Sequence, residues 1–447
     1  MHEDLISAVN ADFDRLRGDL ESLVRIPSVS AADFDPNEVR RSAEAVKELL
    51  ADEGLANVQL LELDGAHPAV FGEIPAPPGA PTIMLYAHHD VQPPGPDELW
   101  DSAPFEPQER DGRLYGRGVS DDKSGIAMHL GAIRAHGGKP PVGVKVFIEG
   151  EEEIGSAHLG DFLNTYTELL SSDAIVIADS GNWRVGEPAL TVSLRGLVDC
   201  VVEVRTLDSA VHSGSFGGTV PDALTTLCRL LATLHDDDGE VAVPGLTSGG
   251  ATPIDLDESE LREQAGAVPG ISLLGTGSVT ERIWRKPAIA VVALDAPPVA
   301  RAINALVPVA RAKVSLRLAP GDVPARAMEL LHSHLLGNAP WGAAVTVTPG
   351  SGGEAYDLDT SGPAYDAYRQ AFRVAWGKDS VEIGAGGSIP FVAAFSDMFP
   401  EADILLTGAG DPTSAAHGPN ESQDLDDLRR STIAEAIALR LLADSVQ

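Results

Sequence analysis

The chain is organised around one eight-residue segment, Ile83-Met84-Leu85-Tyr86-Ala87-His88-His89-Asp90. Its first five residues are apolar or aromatic, which predicts a buried β-strand. His88 stands where that strand ends, and open α/β sheets carry their chemistry at the carboxyl ends of strands. Asp90 is placed to fix the imidazole of His88 in one tautomer, as carboxylates do beside metal-bound histidines. Alone, a His-x-Asp pattern is not specific, so the prediction depends on whether the pattern recurs.

The pattern recurs in other parts of the chain. Three further strand-like runs are followed by side chains that can bind metal: residues 151–153 follow the run 144–148, Asp179 follows 173–178, and His417 follows 402–406. A fourth candidate, Asp121, precedes the helix-like run 124–135. Because the carboxyl ends of parallel strands meet at one edge of a sheet, we expect these side chains to lie together.

Each of these residues also has an ordinary structural interpretation. Asp121 is by default a helix N-cap, residues 151–153 a solvated run of charge, Asp179 a turn residue and His417 a surface histidine. Their joint occurrence at one sheet edge favours the functional interpretation. Two histidines with several carboxylates form a ligand set that suits zinc best and also admits manganese or cobalt.

Length and composition predict a two-domain globular protein. The 447 residues exceed what one hydrophobic core usually serves. No run approaches the roughly 20 apolar residues needed to cross a bilayer. Residues 1–4 are acidic and lack the basic start of a signal peptide. The only two cysteines, Cys200 and Cys228, do not make a disulfide framework. We therefore expect a cytoplasmic protein.

The net charge of −35 excludes some classes of partner. A field of that sign repels nucleic acid and anionic membrane surfaces, so we expect neither as a partner. The candidate metal ligands are a handful of the 67 acidic residues. Most of the acidic excess therefore belongs to the surface and carries little information about substrate.

The order of the predicted elements indicates an α/β fold with an insertion. Residues 1–188 alternate between helices and strands, which predicts a mostly parallel sheet flanked by helices. A turn-rich stretch at 181–188 marks a boundary, and residues 189–354 then read as a smaller α+β domain. The first pattern resumes over residues 355–447. We therefore expect one catalytic domain, formed by residues 1–188 and 355–447, with the smaller domain inserted into it.

At this point the chain resembles the M20 metallopeptidases, and within them the dinuclear-zinc dipeptidase branch that includes the carnosine dipeptidases. The similarity extends from the N-terminal helix to the closing helix. It is carried by these motifs: Ala87-His88-His89-Asp90-Val91-Gln92-Pro93, Tyr115-Gly116-Arg117-Gly118-Val119-Ser120-Asp121-Asp122-Lys123, Glu149-Gly150-Glu151-Glu152-Glu153-Ile154-Gly155-Ser156, His212-Ser213-Gly214 with Gly217-Gly218, Gly386-Gly387-Ser388-Ile389-Pro390, and His417-Gly418-Pro419-Asn420-Glu421.

The resemblance implies a centre of two zinc ions per subunit, with manganese or cobalt as alternatives. The implied roles are His88 and Asp179 on one ion, Glu153 and His417 on the other, Asp121 bridging both, Asp90 orienting His88, and Glu152 as the general base on the bridging water. Zinc suits this chemistry because it lowers the pKa of bound water from about 15.7 to about 7.

The resemblance also implies functional roles for the inserted domain. By this resemblance the domain would act as a lid and form the interface of a homodimer. His212 would then reach into the partner's active site to stabilise the oxyanion. Arg317 would bind the substrate carboxylate, and Gly387 and Ser388 would contact substrate. Without the resemblance, His212 is an ordinary turn histidine and Arg317 a surface arginine.

The resemblance implies a dipeptidase acting on short peptides with a free C-terminal carboxylate. An N-acyl amino acid amidohydrolase on the same scaffold is the nearest alternative, and a non-catalytic metal-binding scaffold is a third. Asp179, where several deacylase branches have Glu, favours the peptidase. Two positions depart from the family pattern: His89 stands where Tyr or Leu is more usual, and residues 383–385 replace a common Arg-Glu. The second departure limits what can be said of substrate specificity.

Overall fold

The computed structural model describes residues 2–387 and 390–444. The chain divides into two compact units. The first unit comprises Met1–Val192, Leu358–Ile383 and Pro390–Gln447, and the second comprises Ser193–Asp357 and Gly384–Ile389.

The helices are distributed over both units. Their bounds are α1 Glu3–Val24, α2 Pro36–Asp52, α3 Lys123–Ala135, α4 Leu159–Thr165, α5 Thr167–Leu170, α6 Ser213–Phe216, α7 Ala223–Leu231, α8 Glu258–Gln264, α9 Pro324–Gly337, α10 Pro363–Trp376, α11 Pro390–Met398 and α12 Leu425–Asp444. In the part of the chain that the structure describes, no helix is both long and apolar enough to cross a membrane.

The strands lie between these helices along the chain. Their bounds are β1 Ala56–Leu61, β2 Ala69–Ile74, β3 Thr82–His88, β4 Gln108–Arg110, β5 Arg113–Tyr115, β6 Gly143–Glu149, β7 Ala174–Ile177, β8 Ala189–Leu194, β9 Gly196–Arg205, β10 Val211–His212, β11 Ala288–Asp295, β12 Ala305–Leu306, β13 Val309–Leu318, β14 Ala344–Gly353, β15 Tyr356–Asp357, β16 Val381–Ala385, β17 Asp403–Leu406 and β18 Ser422–Asp424.

The sheet of the first unit confirms the predicted α/β architecture. Its strands are ordered β1-β2-β6-β3-β7-β17-β8, and the four in the middle, β6, β3, β7 and β17, run parallel. Ile83 of β3 pairs with Val144 on one side and Ala174 on the other. Since these strands share a direction, their carboxyl ends lie at one edge of the sheet, and the residues that follow them are brought together.

Helices cover both faces of this sheet because their apolar residues recur at helical spacing. In α1, Leu5, Val9, Leu16 and Leu20 are buried, as their spacing predicts. Eleven of the 13 residues of α3 are buried, so this helix lies inside the unit. Burial of each large aliphatic side chain stabilises the fold by about 1.5–3 kcal/mol relative to its exposure.

The second unit is an α+β structure with its own core. Its four-stranded antiparallel sheet has the order β11-β13-β9-β14, and helices α7 and α9 pack on one face of it. Alternate residues of β9, such as Val198 and Cys200, point into this core, as expected for a strand with one covered face. Both cysteines are free: Cys200 is buried and Cys228 is exposed.

Residues 384–387 belong to the second unit, whereas we expected residues 355–447 to continue the catalytic domain without interruption. This segment is part of the second unit because its backbone packs closely against a side chain of that unit. A Cβ on Gly384 would lie 2.6 Å from Cγ of Trp284, so only glycine allows this approach. Gly387, which the resemblance makes a substrate contact, is therefore part of the second unit.

Candidate metal centre

Six side chains meet at the carboxyl edge of the parallel strands. His88 ends β3, Asp179 follows β7, Glu152 and Glu153 follow β6, Asp121 precedes α3, and His417 lies in the loop after β17. Two overlapping groups of donor atoms lie within 4.8 Å of one another. One group is His88, Asp121 and Glu153, and the other is His88, Glu152 and Asp179. The structure therefore brings together the candidate ligands that the sequence indicated.

Asp121 is the centre of this cluster. Its Oδ1 lies 3.1 Å from Nε2 of His88, and its Oδ2 lies 3.0 Å from Nε2 of His417. The same His417 nitrogen lies 3.1 Å from Oε2 of Glu153. Each carboxylate oxygen of Asp121 thus faces a different histidine, which is the arrangement that a carboxylate bridging two cations requires.

The loop that carries His417 holds this residue in an unusual backbone conformation. Its φ is 63°, in the left-handed region that residues with a Cβ rarely adopt. Ala415 and Asn420 of the same loop also have positive φ. Such conformations persist where surrounding contacts enforce them, and they concentrate at functional sites.

The charge of the cluster shifts the pKa values of its members. Burial, reinforced by Glu152 and Asp121, raises the pKa of Asp179 well above 3.8. Burial and the neighbouring carboxylates raise the pKa of Glu152 to about 8, although His88 opposes this shift. Hydrogen bonds to Asp121 and Glu153 raise the pKa of His417 to about 10. Asp179, Glu152 and His417 therefore hold their protons more tightly than the same groups do in water.

The donor set fits two divalent cations. Its four carboxylates can neutralise two doubly charged ions, and imidazole with carboxylate is a ligand combination suited to zinc and similar metals. The Asp179 carboxylate accepts no hydrogen bond from any described residue, so its oxygens are free to bind a cation. A carboxylate that is partly removed from water and accepts no hydrogen bond destabilises the folded chain, and a bound metal ion would offset that cost.

Asp90 supports the cluster from behind. Its carboxylate accepts hydrogen bonds from the backbone N–H groups of Glu152 and Glu153, at 3.2 and 3.1 Å. Nδ1 of His88 lies 3.4 Å from the Asp90 carboxylate and 3.0 Å from the Asp90 backbone oxygen. Asp90 therefore positions two acidic side chains as well as the imidazole that the sequence pattern suggested.

Two further contacts were not assigned from the sequence. Gln92 donates from its side chain to Oε2 of Glu153 at 2.9 Å, and its backbone N–H donates to Oε1 at 3.2 Å. These bonds fix the orientation of Glu153. Gln92 belongs to the motif Ala87–Pro93, but the motif alone does not reveal a partner 61 residues away.

A buried ion pair joins the loop of Asp121 to the loop of His417. Glu421 accepts hydrogen bonds from the backbone N–H groups of Gly118, Ser120 and Asp121, at 2.9, 2.9 and 3.1 Å. Arg117 donates to the same carboxylate at 2.6 Å, and both side chains are almost fully buried. Although both residues occur in quoted motifs, this role is visible only in the folded chain.

His89 is directed away from the cluster. Its Nε2 lies 2.9 Å from the backbone oxygen of Pro68, and burial lowers its pKa to about 4, which keeps the ring neutral. The unusual histidine at this position therefore does not add a ligand.

The remaining predicted site residues belong to the second unit. His212 ends β10, and its Nδ1 accepts a hydrogen bond from the N–H of Gly214 at 3.0 Å. Arg317 lies on β13, and Gly387 follows β16. Ser388 lies outside the described residues.

A cavity of about 280 Å³ opens beside the cluster in the first unit. Asp121 and Asp179 line it together with Ser120, Asn182 and Ile383. This volume is at the lower end for ligand pockets, which suits a small molecule. A small ligand in this cavity would contact two of the candidate metal ligands directly.

Known proteins share both the sequence pattern and the fold. The sequence profile of peptidase family M20/M25/M40 matches residues 84–439. A cysteinylglycine-S-conjugate dipeptidase of Corynebacterium striatum is 36% identical over 80% of both chains. The M20 family metallo-carboxypeptidase Sso-CP2 of Sulfolobus solfataricus has a structure with a TM-score of 0.80 and 26% identity, covering 95% of this chain and 98% of that one. Human carnosine dipeptidase 1, at 24% identity, has the same fold over 99% of both chains, with a TM-score of 0.82.

Proposed function

The chain belongs to peptidase family M20/M25/M40, and we propose that it hydrolyses the amide bond of dipeptides and other short peptides with a free C-terminal carboxylate. The observation that carries this proposal is Asp121 between two histidines, with the Glu152 carboxylate beside them and without a hydrogen bond to any described residue. Relatives named as dipeptidases of cysteinylglycine conjugates and of β-alanyl-histidine support the substrate class.

Two zinc ions would be held by the residues of the cluster, with manganese or cobalt as alternatives. His88 and Asp179 would bind one ion, Glu153 and His417 the other, and Asp121 both. When bound, such ions lower the pKa of a water molecule and stabilise negative charge on the carbonyl oxygen.

Glu152 is the proposed general base. Its Oε2 lies 3.9 Å from Nε2 of His88, so the carboxylate is beside the cluster without a close contact to either histidine. There it can accept a proton from the attacking water and deliver it to the nitrogen of the leaving amine. Glu153, its neighbour, is held by Gln92 and is left to bind metal.

The second unit supplies the proposed substrate contacts. Arg317 would bind the C-terminal carboxylate through its planar fork of donors, and Gly387 and Ser388 would contact the substrate backbone. His212 would stabilise the oxyanion in the active site of a partner subunit. This assignment requires a homodimer formed through the second unit. Cytoplasmic location stays a prediction.

Metal analysis and a substrate panel together test the proposal. Protein depleted of metal and reloaded with zinc, manganese or cobalt should hold about two ions per chain. It should hydrolyse dipeptides with a free amino group, such as Cys-Gly and β-Ala-His, faster than N-acetyl or N-succinyl amino acids. A preference for the N-acyl compounds would make the protein an amidohydrolase on the same scaffold. Absence of bound metal would contradict both enzymatic functions.

A further inference from the structure

Two arginines of the second unit, Arg195 and Arg317, have no acidic partner in the part of the chain that the structure describes. Neither guanidinium makes a hydrogen bond or ion pair with any residue that the structure describes, and Nε of Arg195 is buried without a partner. The chain has 67 acidic residues against 32 basic ones, so acidic partners are abundant. In the same unit, Arg285 and Arg311 each pair with a carboxylate, at 2.6 and 2.7 Å.

Arg317 lies on strand β13 of the four-stranded sheet, and Arg195 directly precedes strand β9 of the same sheet. Arg317 of β13 pairs with Leu197 of β9, and Arg195 precedes Leu197 by two residues. When the alternation of β9 is continued back by one residue, Arg195 falls on the side of Leu197 and is a diagonal neighbour of Arg317. Val198, on the opposite face, belongs to the hydrophobic cluster beneath the helices. Arg317 therefore lies on the face of the sheet that this core does not use, and Arg195 lies beside that face at the start of β9.

The Arg195 side chain is held in an unfavourable place for a lone cation. Burial, and next the charge of Arg317, lower its pKa to about 10. Its Nη2 would lie 3.1 Å from a Cβ on Gly386, so the guanidinium packs against the start of the glycine loop that carries Gly387. Two neighbouring cations that oppose each other and hold no anion add nothing to the stability of the unit. This arrangement fits a binding role better than a structural one.

The number of donors indicates what the ligand must carry. Two guanidinium groups present about ten N–H donors, whereas one carboxylate offers about four acceptor sites. One carboxylate therefore satisfies fewer than half of the donors and neutralises only one of the two positive charges. A ligand with two carboxylates close together matches the pair in both respects.

We propose that Arg195 and Arg317 together form a binding site for two carboxylates, and that the preferred substrates are peptides whose C-terminal residue is Asp or Glu. Arg317 binds the main-chain carboxylate, and Arg195 binds the side-chain carboxylate of the same residue. This inference rests on the proposed peptidase function and adds a substrate class to it.

The test compares substrates that differ only in that side-chain charge. Ala-Glu is measured against Ala-Gln, and Ala-Asp against Ala-Asn, on the metal-loaded enzyme. For the wild type, kcat/KM should be about 10- to 100-fold higher for the acidic member of each pair, since charge-assisted hydrogen bonds are roughly this strong. In Arg195→Leu this ratio should fall to about one. Because the ratio is measured within one protein preparation, partial misfolding of a variant does not affect it.

Arg311→Leu is the matched control. It removes one positive charge from the same strand as Arg317, but from a guanidinium that already pairs with Glu203. Its acid-to-amide ratio should equal that of the wild type. An equal fall in Arg311→Leu would show a general charge effect and overturn the site, as would a wild-type ratio near one or an unchanged ratio in Arg195→Leu. If none of the four dipeptides is cleaved while Cys-Gly or β-Ala-His is, the preference for acidic C-terminal residues is overturned and the peptidase function stands. If Cys-Gly and β-Ala-His are not cleaved either, the proposed peptidase function itself fails.

Discussion

Glu152 and Glu153 are adjacent carboxylates with different surroundings. The Glu153 carboxylate accepts hydrogen bonds from Gln92 and lies 3.1 Å from Nε2 of His417, whereas the Glu152 carboxylate accepts no hydrogen bond from any described residue. Yet Glu152 can also be grouped with His88 and Asp179 as a possible set of metal donors. Geometry alone therefore leaves two roles for its side chain, as general base or as ligand, and substitution separates them.

In Glu152→Gln, we expect about two bound ions per chain and a fall of kcat by about 10²- to 10⁴-fold, because the amide cannot accept a proton. Metal content by elemental analysis and kcat for one dipeptide measure this. Glu153→Gln serves as the contrast, since it should lose metal as well as activity. Near-normal turnover in Glu152→Gln would exclude the base assignment, and loss of an ion would make Glu152 a ligand.

Glu421 has a structural role that can be measured separately from catalysis. Burial raises its pKa above 4.5 in spite of Arg117, so the attraction within the pair does not fully offset the burial of its charge. Removal of the carboxylate nevertheless leaves the Arg117 guanidinium buried without its counter-ion. Such a loss is costly even where the intact pair contributes little net stability.

We expect Glu421→Gln to lower the free energy of unfolding by about 3–5 kcal/mol, as observed when one partner of a buried pair is removed. Urea unfolding of the metal-free protein measures this change. The control is Glu21→Gln, which removes a partly exposed partner of Arg17 and should change stability by less than about 1 kcal/mol. Similar effects of the two substitutions would argue against the proposed importance of the buried pair.

Three helices of the first unit meet at a glycine. Gly131 of α3 lies where α1 and α12 approach, and a Cβ there would overlap Cδ1 of Leu16 and lie 2.6 Å from Cγ2 of Thr432. Both of those side chains are almost fully buried, so they have little room to move. The close approach of the helices therefore requires the absence of a side chain at this position.

Gly131→Ala should destabilise the protein by about 1–3 kcal/mol, because the added methyl group overpacks the junction. Gly18→Ala is a matched control: Gly18 lies exposed on α1, and nothing lies within 4 Å of its Cβ position. There the higher helix propensity of alanine should stabilise by up to about 1 kcal/mol. Thermal unfolding of both variants measures these opposite changes in stability. A change of the same sign in both variants would refute the packing argument.

The whole molecule contains its proposed site residues in two separate units. The candidate metal ligands belong to the first unit, and His212, Arg317 and Gly387 belong to the second. Under the proposed function, His212 acts on the active site of a partner subunit. The activity of a mixed dimer is then different from that of either parent.

We expect His212→Ala and Glu152→Gln subunits, each inactive alone, to regain about a quarter of wild-type activity when co-expressed with two tags and mixed equally. Half of the dimers are then mixed, and one of their two sites combines an intact Glu152 with the partner's His212. Mixing His212→Ala with the double variant His212→Ala/Glu152→Gln is the control and should recover nothing. Failure of the first mixture to recover activity, with mixed dimers present, would place His212 in its own subunit's site or outside catalysis.

The sequence by itself determined the local features of this protein. The runs at 83–87, 144–148, 173–178 and 402–406 predict strands, and each lies within one residue of β3, β6, β7 or β17. The apolar spacing of the N-terminal segment predicts α1. Such features can be predicted because the spacing of apolar side chains in a helix or strand is set by residues close together in the sequence. The same local patterns placed His88, Asp121 and Asp179 beside strand or helix ends.

Other features were decided only by the tertiary structure. Strand β11, at Ala288–Asp295, was not singled out from the sequence, and only the structure shows that most of the side chains of this apolar run are exposed. The pairing of Glu421 with Arg117 spans 304 residues, and that of Gln92 with Glu153 spans 61. That no acidic residue among those described pairs with Arg195 is likewise a property of the folded chain. Periodicity carries no information about such distant contacts, which form only when the sheet and its loops close on one another.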